Sequence, residues 1–398
     1  MKKRLPALFL LSSVVAAPVF AEIPGDKVRI GVLTNLSGVF ETSAGKGSVE
    51  AVRMAVEDFG GTVNGKPVEV IAGDHQNKPD IGASLANRWF DVDRVDMIAD
   101  VVNSAVAFAV VEVARQRGKT VLITASGSDD LTGKACAPDT SAQWVYDSYE
   151  VAASVGASAP VLGKTWYLFN TDFAFGVALE NGERQALAQN GATVAGALRH
   201  PLGTSDYSSF VLQARAAKAD VIAFAPSDQI AAFRSLREYD VPASIMGLGL
   251  DRPTDVKALE LDVVGGAYNA TAWMQRDDGE TKAWVARFIA RRGVAPGAFQ
   301  VGAYSATLSW LKAVQATNST DSRVVLAKIR ETPIRDVFTD DGYLREDGRM
   351  VHSVALVQMK TPAESTGEWD FTKLVRTFKG DDVFRPLKDG GCPALAGR

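Results

Sequence analysis

The feature that most constrains this chain is a regular alternation of strand-length apolar runs with helix-length amphipathic stretches. The first apolar runs cover residues 28–33, 68–72, 95–99 and 120–124, and helical patterns at 47–59, 80–90 and 104–117 fill the intervals. Strands that alternate with helices along a chain form a parallel sheet covered by helices on both faces. The first third of the sequence therefore predicts a doubly wound α/β unit.

A second series of the same kind follows. Strand-like runs at residues 166–169, 221–225 and 245–248 are separated by helical patterns at 176–189, 207–217 and 229–239. The length of 398 residues suits two domains better than one. We therefore expect two Rossmann-like lobes, with residues 139–154 as the crossing between them.

The last third of the sequence breaks this rhythm. Helical patterns at 280–292, 299–316 and 322–331 are followed by strand-like pieces at 338–345 and 350–360. This order predicts that the chain returns to the first lobe and then crosses again. We expect a first lobe of residues 22–143 plus 276–350, a second lobe of 144–275 plus 351–380, and a tail, 381–398, that returns toward the hinge. Short ordered crossings favour a hinge over a flexible tether.

The N-terminus has the pattern of a secretory signal peptide. Lys2, Lys3 and Arg4 precede an apolar run at residues 5–17, and Val19 and Ala21 are the small residues that a signal peptidase recognises. We expect residues 1–21 to be removed by cleavage after Ala21. The alternative is a membrane anchor, but the run is shorter than the ~20 apolar residues that span a bilayer. The mature protein is expected in the periplasm.

Charge and composition exclude some classes of partner. The hydrophobic content of 46% and the charged content of 23% are typical of a globular protein with a large core. Removing the three basic residues of the leader from the formal charge of −4 leaves −7 for the rest. This balance argues against nucleic acid and anionic membrane surfaces as partners.

The chain has two cysteines, Cys136 and Cys392. In an oxidising compartment, two cysteines without nearby metal-ligand partners predict one structural disulfide. This disulfide would tie the C-terminal tail to the loop after Asp130.

Catalytic and cofactor motifs are sparse. His75, His200 and His352 each stand alone, and we expect each to be a surface or loop residue. No G-x-S-x-G nucleophile motif and no G-x-G-x-x-G phosphate loop is present. We therefore expect no metal, no cofactor and no chemistry. The rival class is an exported hydrolase that uses His75 or Asp74.

Small polar residues follow three of the predicted strands, at 34–40, 103–105 and 126–128. Ligands of open parallel sheets bind beyond the carboxyl ends of the strands, and a helix N-terminus there suits a carboxylate. Ser104 is placed to act either as a helix cap or as a ligand donor. No arginine is apparent in these loops, so hydroxyl groups and backbone amides are expected to hold the anion.

Aromatic residues lie in or beside strand-end segments, where an exposed ring indicates ligand stacking or a recognition pocket. The alternative for each of them is packing at the lobe boundary. These residues are Phe40, Phe173, Phe175, Tyr268 and Trp273.

Several segments together resemble one known family. The opening "VRIGVLTNLSGVFETSAGKGSVEAVRMAVEDFGG", then "VEVIAGDHQNKPDIGASLANRWF", "VDMIADVVNSAVAFAVVEVA", "FNTDFAFGVALENG" and "DGRMVHSVALVQMK" are similar, in order, to the leucine/isoleucine/valine-binding (type I) periplasmic solute-binding proteins. The family implies two Rossmann-like lobes joined by three crossings, a ligand held between them, and delivery to an ABC importer. "GKAC", "WVYDSY", "AYNATAW" and "FRPL…GCP" resemble the members that bind aromatic carboxylates.

The resemblance also implies a set of ligand contacts. In the first lobe they are Phe40, Asn103, Ser104, Ala125 and Ser126, and in the second lobe Phe173, Pro226, Ser227 and Asp251. Amino-acid binders of the family hold the ligand ammonium with an acidic second-lobe residue, near the position of Asp251. The segment "AFAPSDQ" lacks the tyrosine expected of an amino-acid binder.

The sequence thus predicts a periplasmic substrate-binding component that captures a small organic acid, aromatic by expectation, and delivers it to an inner-membrane ABC permease. We expect a monomer. The alternatives are a binding protein for branched-chain amino acids or amides, an exported hydrolase, and a ligand-sensing subunit that docks on a membrane receptor.

Overall fold

The computed structural model of the protein describes residues 23–226 and 228–396. The predicted signal peptide, its cleavage point after Ala21 and the predicted ligand contact Ser227 lie outside these residues. In the described part of the chain, no helix combines the length and the apolar character needed to cross a membrane.

The strands, in chain order, are β1 (Val28–Thr34), β2 (Thr62–Val63), β3 (Lys66–Asp74), β4 (Met97–Asp100), β5 (Thr120–Ile123), β6 (Ser141–Gln143), β7 (Thr165–Asp172), β8 (Thr193–Pro201), β9 (Val221–Ala225), β10 (Ser244–Gly247), β11 (Tyr268–Thr271), β12 (Tyr343–Leu344), β13 (Met350–Val351), β14 (Val354–Met359) and β15 (Thr372–Phe378).

The α-helices are α1 (Gly45–Phe59), α2 (Pro79–Asp91), α3 (Ser104–Arg117), α4 (Ser148–Leu162), α5 (Ala174–Gln189), α6 (Ser208–Ala216), α7 (Gln229–Glu238), α8 (Pro253–Leu259), α9 (Leu261–Val264), α10 (Gly279–Arg292), α11 (Ala298–Thr317), α12 (Ser322–Arg330) and α13 (Gly380–Val383).

The first lobe is built on a six-stranded sheet in the order β2-β3-β1-β4-β5-β6, parallel except for the pair β2–β3. Its central strand β1 is almost wholly apolar, as expected of a strand buried on both faces. Helices α1 and α11 pack together in the core on one face, and α2 packs against α3 on the other.

The second lobe is built on a seven-stranded sheet in the order β15-β14-β11-β10-β9-β7-β8. Strands β7 to β11 pair in parallel, whereas β14 and β15 join the sheet antiparallel. Helix α4 packs against α5, and apolar side chains from α6, α7 and α8 cover part of the sheet.

The chain passes between the two sheets three times. The first crossing, residues 144–147, joins β6 to α4, the second, residues 272–278, joins β11 to α10, and the third, residues 352–353, joins β13 to β14. Two doubly wound lobes joined by three crossings confirm the predicted fold.

Several local predictions were wrong. The crossing lies within the expected residues 139–154 but is shorter, because β6 and the start of α4 fall in that range and only residues 144–147 lie between them. The strand expected at 338–345 is reduced to β12. Strands β8 and β15 were not predicted, because Arg199 interrupts the apolar pattern of β8, and Lys373 and Arg376 interrupt that of β15.

The three histidines are not surface residues. His75 and His200 are fully buried and His352 is 1% exposed. The His200 Nε2 lies 3.1 Å from the Thr171 Oγ1, and the His352 Nε2 lies 2.8 Å from the Val145 carbonyl oxygen. Hydrogen bonds of this kind allow a polar ring to be buried in a core, which composition alone does not reveal.

Candidate functional site

The predicted ligand contacts follow strands near the point in each sheet where successive strands change from one side of the sheet to the other. In the first sheet this point is at β1, which lies between β3 and β4, and in the second it is at β7, between β8 and β9. Ligands of open α/β sheets bind beyond the carboxyl ends of the strands at such points. The contacts expected in the described residues follow β1, β4 and β5 in one lobe and β7, β9 and β10 in the other.

The turn from β4 into α3 has an unusual backbone. Asp100, Val101 and Asn103 have φ angles of 81°, 55° and 77°. A positive φ is rare outside glycine, above all for a β-branched residue such as Val101, and such conformations concentrate at functional sites. The Asn103 Oδ1 accepts hydrogen bonds from the N–H groups of Ala105 (2.8 Å) and Val106 (3.4 Å) and so caps α3.

Two serines join the loop after β5 to the start of α3. Ser126 is 2% exposed, and its Oγ donates to the Val101 carbonyl oxygen at 2.5 Å. The Ser104 Oγ accepts from the N–H of Ser128 at 3.1 Å. The hydroxyl proton of Ser126 is thereby used within the protein, whereas the Ser104 hydroxyl, which accepts here, retains its proton for another acceptor.

The loop after β1 is organised by Asp74. This carboxylate accepts hydrogen bonds from the Ser37 hydroxyl at 2.5 Å, from the Leu36 N–H at 3.2 Å and from the Gln76 N–H at 2.8 Å. Burial acts to raise the pKa of Asp74, but these hydrogen bonds outweigh it and lower the pKa. A carboxylate held in this way shapes the loop that follows the strand.

His75, next to Asp74, is buried and accepts a hydrogen bond from the backbone. Its Nδ1 accepts from the N–H of Asn77 at 3.0 Å, and burial lowers the pKa of the ring to about 4. Asp74 accepts from Ser37 and from backbone N–H groups, and the His75 ring accepts from the N–H of Asn77. The described residues therefore contain no hydrogen bond between Asp74 and His75 that would make them an acid–base pair.

A row of aromatic rings runs from the second lobe into the first. The ring centroids of Phe173 and Phe175 are 5.9 Å apart, those of Phe175 and Tyr146 are 6.4 Å apart, and those of Tyr146 and Phe299 are 5.2 Å apart. The last pair is stacked, and the separations fall in the range of favourable ring contacts. We call Phe173, Phe175, Tyr146 and Phe299 the aromatic row.

The two ends of the aromatic row have different surroundings. Phe173 begins α5 and is 44% exposed. Phe299, at the start of α11, packs together with Phe40 against the buried residues Ala44, Val102 and Ala125. The row therefore ends in the first lobe among the predicted contacts Phe40 and Ala125.

The sequence did not indicate Tyr146 or Phe299 as contacts, although Tyr146 lies within the quoted segment "WVYDSY" of the first crossing. A Cβ atom on Gly127 would lie 2.6 Å from the Tyr146 ring, so only glycine fits there. Gly127 belongs to the loop of residues 125–128 after β5, which we call the "ASGS" loop after its sequence, and the middle of this loop thus lies directly against the ring.

Two acidic residues of the second lobe, Asp251 and Glu150, have shifted pKa values. Burial raises the pKa of Asp251, and the neighbouring Arg252 opposes this shift. Burial also raises the pKa of Glu150 to about 8, although Arg349 and the Ser154 hydroxyl oppose that shift. Both carboxyl groups therefore hold a proton more readily than an exposed acid does.

A cavity of about 180 Å³ lies beside the aromatic row. Three segments border it, namely residues 41–47 before and within α1, residues 251–254 after β10, and the residues around the α10–α11 connection. Phe299 belongs to its wall, and so do the predicted contact Asp251 and the charged side chains Lys46, Arg252 and Arg292. Arg252 lies in the loop after β10, outside the three loops at 34–40, 103–105 and 126–128 in which the sequence has no arginine.

The remaining predicted residues are placed as follows. Pro226 follows β9 and is buried, and its carbonyl oxygen accepts from the Gln229 side chain at 3.3 Å. Trp273 lies outside the aromatic row, because its Nε1 donates to the Val337 carbonyl oxygen at 2.8 Å and its ring packs on the first-lobe core. Tyr268 packs within the second-lobe core. In residues 23–226 and 228–396, no group of three His, Cys, Asp or Glu is arranged to hold a metal ion.

The predicted disulfide is present. Cys136 and Cys392 are bonded, with their Cα atoms 5.5 Å apart across a sequence separation of 256 residues. The tail that carries Cys392 is also fixed by Arg385, whose Nη1 donates to the Asp129 Oδ2 at 2.9 Å. The C-terminal tail is therefore a fourth connection between the lobes, after the three crossings.

Comparison with known proteins agrees with this architecture. The family model described as "periplasmic binding protein" matches residues 27–367. A solved periplasmic binding protein from Burkholderia mallei is 37% identical, with a TM-score of 0.85, and the match covers 93% of this chain and 99% of that one. A branched chain amino acid ABC transporter periplasmic ligand-binding protein from Burkholderia xenovorans LB400 is 36% identical, with a TM-score of 0.85 and coverage of 92% and 99%.

A more distant structure shares the fold. The solute-binding protein of an ABC transporter from Rhodopseudomonas palustris BisB5, solved with 3,4-dihydroxybenzoic acid, is 19% identical, with a TM-score of 0.80 and coverage of 92% of this chain and 100% of that one. The family match over most of the chain decides the assignment: this chain belongs to the periplasmic binding proteins, the solute-binding components of ABC transporters.

Proposed function

We propose that the protein captures a small organic acid with an aromatic body between its two lobes. The observation that carries this proposal is the aromatic row, in which Phe173 and Phe175 of one lobe approach Tyr146 and Phe299. Flat rings contributed by both lobes offer a large apolar contact to a flat ligand. A short aliphatic acid would leave much of that surface uncovered.

The ligand carboxylate is held, in this proposal, at the carboxyl ends of β4 and β5. Ser104 supplies its hydroxyl proton, and backbone N–H groups of the "ASGS" loop and the N-terminus of α3 supply further donors. Ser126 acts mainly through position, because its hydroxyl holds the loop against Val101. A carboxylate that leaves water must regain several such bonds.

Phe40, Asn103 and Ala125 complete the first-lobe wall, and Phe173, Pro226, Ser227 and Asp251 form the second-lobe wall in this proposal. The lobes comprise residues 22–143 plus 276–350 and 144–275 plus 351–380, and residues 381–398 form the tail. The protein works as a monomer and delivers its ligand to an inner-membrane ABC permease after export and cleavage behind Ala21. No catalytic step is involved.

The alternative solute is a branched-chain amino acid. Asp251 supports it, because a carboxylate at the cleft can hold an ammonium group. Burial raises the pKa of Asp251, which disfavours its charged form and so argues against this solute.

Thermal unfolding in the presence of benzoate, 4-hydroxybenzoate, cinnamate, hexanoate and leucine tests the proposal. A ligand at 100 times its dissociation constant stabilises the folded state by ~2.7 kcal/mol. We expect the largest increases in Tm from the aromatic acids. Stabilisation by leucine with none from the aromatic acids would favour the alternative, and turnover of a bound ester or amide would favour a hydrolase.

A further inference from the structure

The cavity beside the aromatic row has an excess of positive charge that the proposed capture of a monoacid does not use. Its wall carries three cationic side chains, those of Lys46, Arg252 and Arg292, and two acidic ones, those of Glu41 and Asp251. The remainder of the protein is acidic, with a formal charge of −4 for the whole sequence. A local reversal of sign attracts an anion where the net charge would repel it.

Arg292 is the least satisfied of these cations. In the described parts of the chain it forms no ion pair, and its Nε is buried without a hydrogen-bond partner. A cation at the last turn of α10 interacts favourably with the helix dipole, so its position alone does not indicate a ligand. The buried N–H without an acceptor is different, because leaving such a donor unpaired destabilises the protein unless a ligand pairs with it.

The two acidic groups of the wall offset the cations only in part. The Glu41 Oε1 is 3.9 Å from the Lys46 Nζ, at the limit of an ion pair, and both side chains are exposed. Burial raises the pKa of Asp251, so its charged form is disfavoured relative to that of an exposed carboxyl group. Arg252 pairs at 3.3 Å with Asp255, which is not among the residues of the cavity wall.

The cavity is connected to the proposed carboxylate site through the aromatic row. Phe299 belongs to the cavity wall and stacks on Tyr146, whose ring lies against Gly127 of the "ASGS" loop. Asp251 and Arg252 are close enough to Tyr146 to act on the pKa of its hydroxyl group. The N-terminal end of the 20-residue helix α11, which favours negative charge, borders the same cavity.

From this arrangement we infer that the cavity takes a second anionic group of the ligand, so that the protein prefers aromatic dicarboxylates to the matching monoacids. The inference rests on the proposed function, in which the first carboxylate lies at the ends of β4 and β5. A cavity of about 180 Å³ is well above the ~10–15 Å³ that a single water requires, so a carboxylate fits. Arg292 and Lys46 are then the residues that determine specificity.

Calorimetric titration with two matched pairs tests the inference, namely benzoate against terephthalate, and cinnamate against 4-carboxycinnamate. The two pairs differ in the distance between the acidic groups. The proteins are the wild type, Arg292→Gln, and Arg291→Gln as the control. Arg291→Gln removes one positive charge from the same helix. Arg291, however, pairs with Glu57 at 2.7 Å and is not among the residues of the cavity wall.

We expect the wild type and Arg291→Gln to bind the diacid of at least one pair about ten- to a hundred-fold more tightly than its monoacid, which is the range of one charge-assisted hydrogen bond. Arg292→Gln should abolish this preference and leave the monoacid within about two-fold of the wild type. Its Tm without ligand serves as the check on folding.

Other results would overturn the inference in distinguishable ways. Equal affinity of the wild type for monoacid and diacid would contradict the second anion site and leave the proposed function intact. If Arg292→Gln weakened the binding of monoacid and diacid equally, the cavity would hold the carboxylate that both ligands share. Failure of the wild type to bind any of the four acids contradicts the proposed function as well.

Discussion

The guanidinium group of Arg349 donates a hydrogen bond to the carbonyl oxygen of Tyr146 at 3.0 Å and so fastens the end of the first lobe to the first crossing. Arg349 is 1% exposed, its Nη1 lies 3.5 Å from the Asp147 Oδ2, and its guanidinium lies 4.3 Å from the centre of the Phe384 ring. The same side chain therefore contacts a crossing and the C-terminal tail. Such contacts order the connection between the lobes, which we predict to act as a hinge.

We expect the lobes to close on the ligand about this hinge. No flexible linker separates the lobes in the described chain, so the change should be a rotation about the crossings. Small-angle scattering of the ligand-free and saturated protein should give a smaller radius of gyration with ligand. An unchanged radius at saturation proved by calorimetry would argue against closure.

Ser104 and Ser126 should respond differently to replacement by alanine. Ser104→Ala removes a proton that we assign to the ligand carboxylate, and it should weaken binding by ~1.5–3 kcal/mol, roughly ten- to a hundred-fold. Ser126→Ala removes the hydrogen bond to Val101, so it should lower the free energy of unfolding by ~0.5–1.5 kcal/mol and weaken binding as well.

Urea unfolding and titration of both serine variants with an aromatic acid separate these effects. If both variants bind as tightly as the parent, the carboxylate does not lie at this loop. The loop would then be a turn whose serines only hold it in place.

Much of the fold could be predicted from the sequence, because the pattern that marks a helix or a strand lies within a single segment. The patterns for α3 and β9 match the observed bounds, because helical or strand periodicity is visible within a single segment. β6 was missed since its three residues carry no period, and its place in the sheet depends on pairing with β5.

The candidate site was only partly predictable for a related reason. Strand-end positions such as Ser104 follow from topology, but the contact of Tyr146 with Phe299 joins residues 153 positions apart in the sequence. Arg292 ends a helix, where a cation is ordinary. Arg349 and Arg385 also have a buried, unpaired Nε, but both form ion pairs, whereas Arg292 forms none in the described residues. Contacts of this kind depend on how separate segments pack together.

Phe173→Ala should discriminate between ligand classes. The ring is 44% exposed at the outer end of the aromatic row, so its removal leaves the core intact. We expect aromatic acids to lose ~0.5–1.5 kcal/mol of binding, the range of a ring–ring contact, and hexanoate to lose less. Equal losses for cinnamate and hexanoate, measured by calorimetry, would show that Phe173 does not stack on the ligand.

His75 should make the protein less stable in acid. Burial lowers the pKa of His75 to about 4 from its ordinary 6.5, so between these values the unfolded chain binds a proton that the folded protein does not. The stabilisation is complete above pH 6.5 and is lost as the pH falls toward 4. At ~1.4 kcal/mol per pKa unit it amounts to about 1–3 kcal/mol, allowing for access of water.

His75→Asn is the matched variant, because the amide oxygen can still accept from the N–H of Asn77 but does not titrate. Urea unfolding at pH 7 and pH 4.5 should show a smaller acid-induced loss in the variant than in the wild type. Equal losses would show that His75 is protonated in the folded state as readily as in the unfolded chain.

The disulfide should contribute both to stability and to the geometry of the hinge. It closes a loop across 256 residues, and removing such a constraint costs ~2–5 kcal/mol of unfolding free energy. Because Cys136 belongs to the first lobe and Cys392 to the tail beyond β15, the bond also limits how far the lobes separate. The double variant Cys136→Ser, Cys392→Ser should therefore unfold at lower urea concentration and show a larger radius of gyration without ligand.

Two measurements separate these effects. Thiol labelling of the unfolded, unreduced protein should find no free thiol, and two free thiols would contradict the bond. Arg385→Gln supplies a control for the hinge, because it breaks the Asp129 ion pair in the same tail but keeps the disulfide. If the double cysteine variant loses stability while its ligand-free radius stays equal to that of Arg385→Gln and the wild type, then the bond stabilises the fold without restraining the lobes.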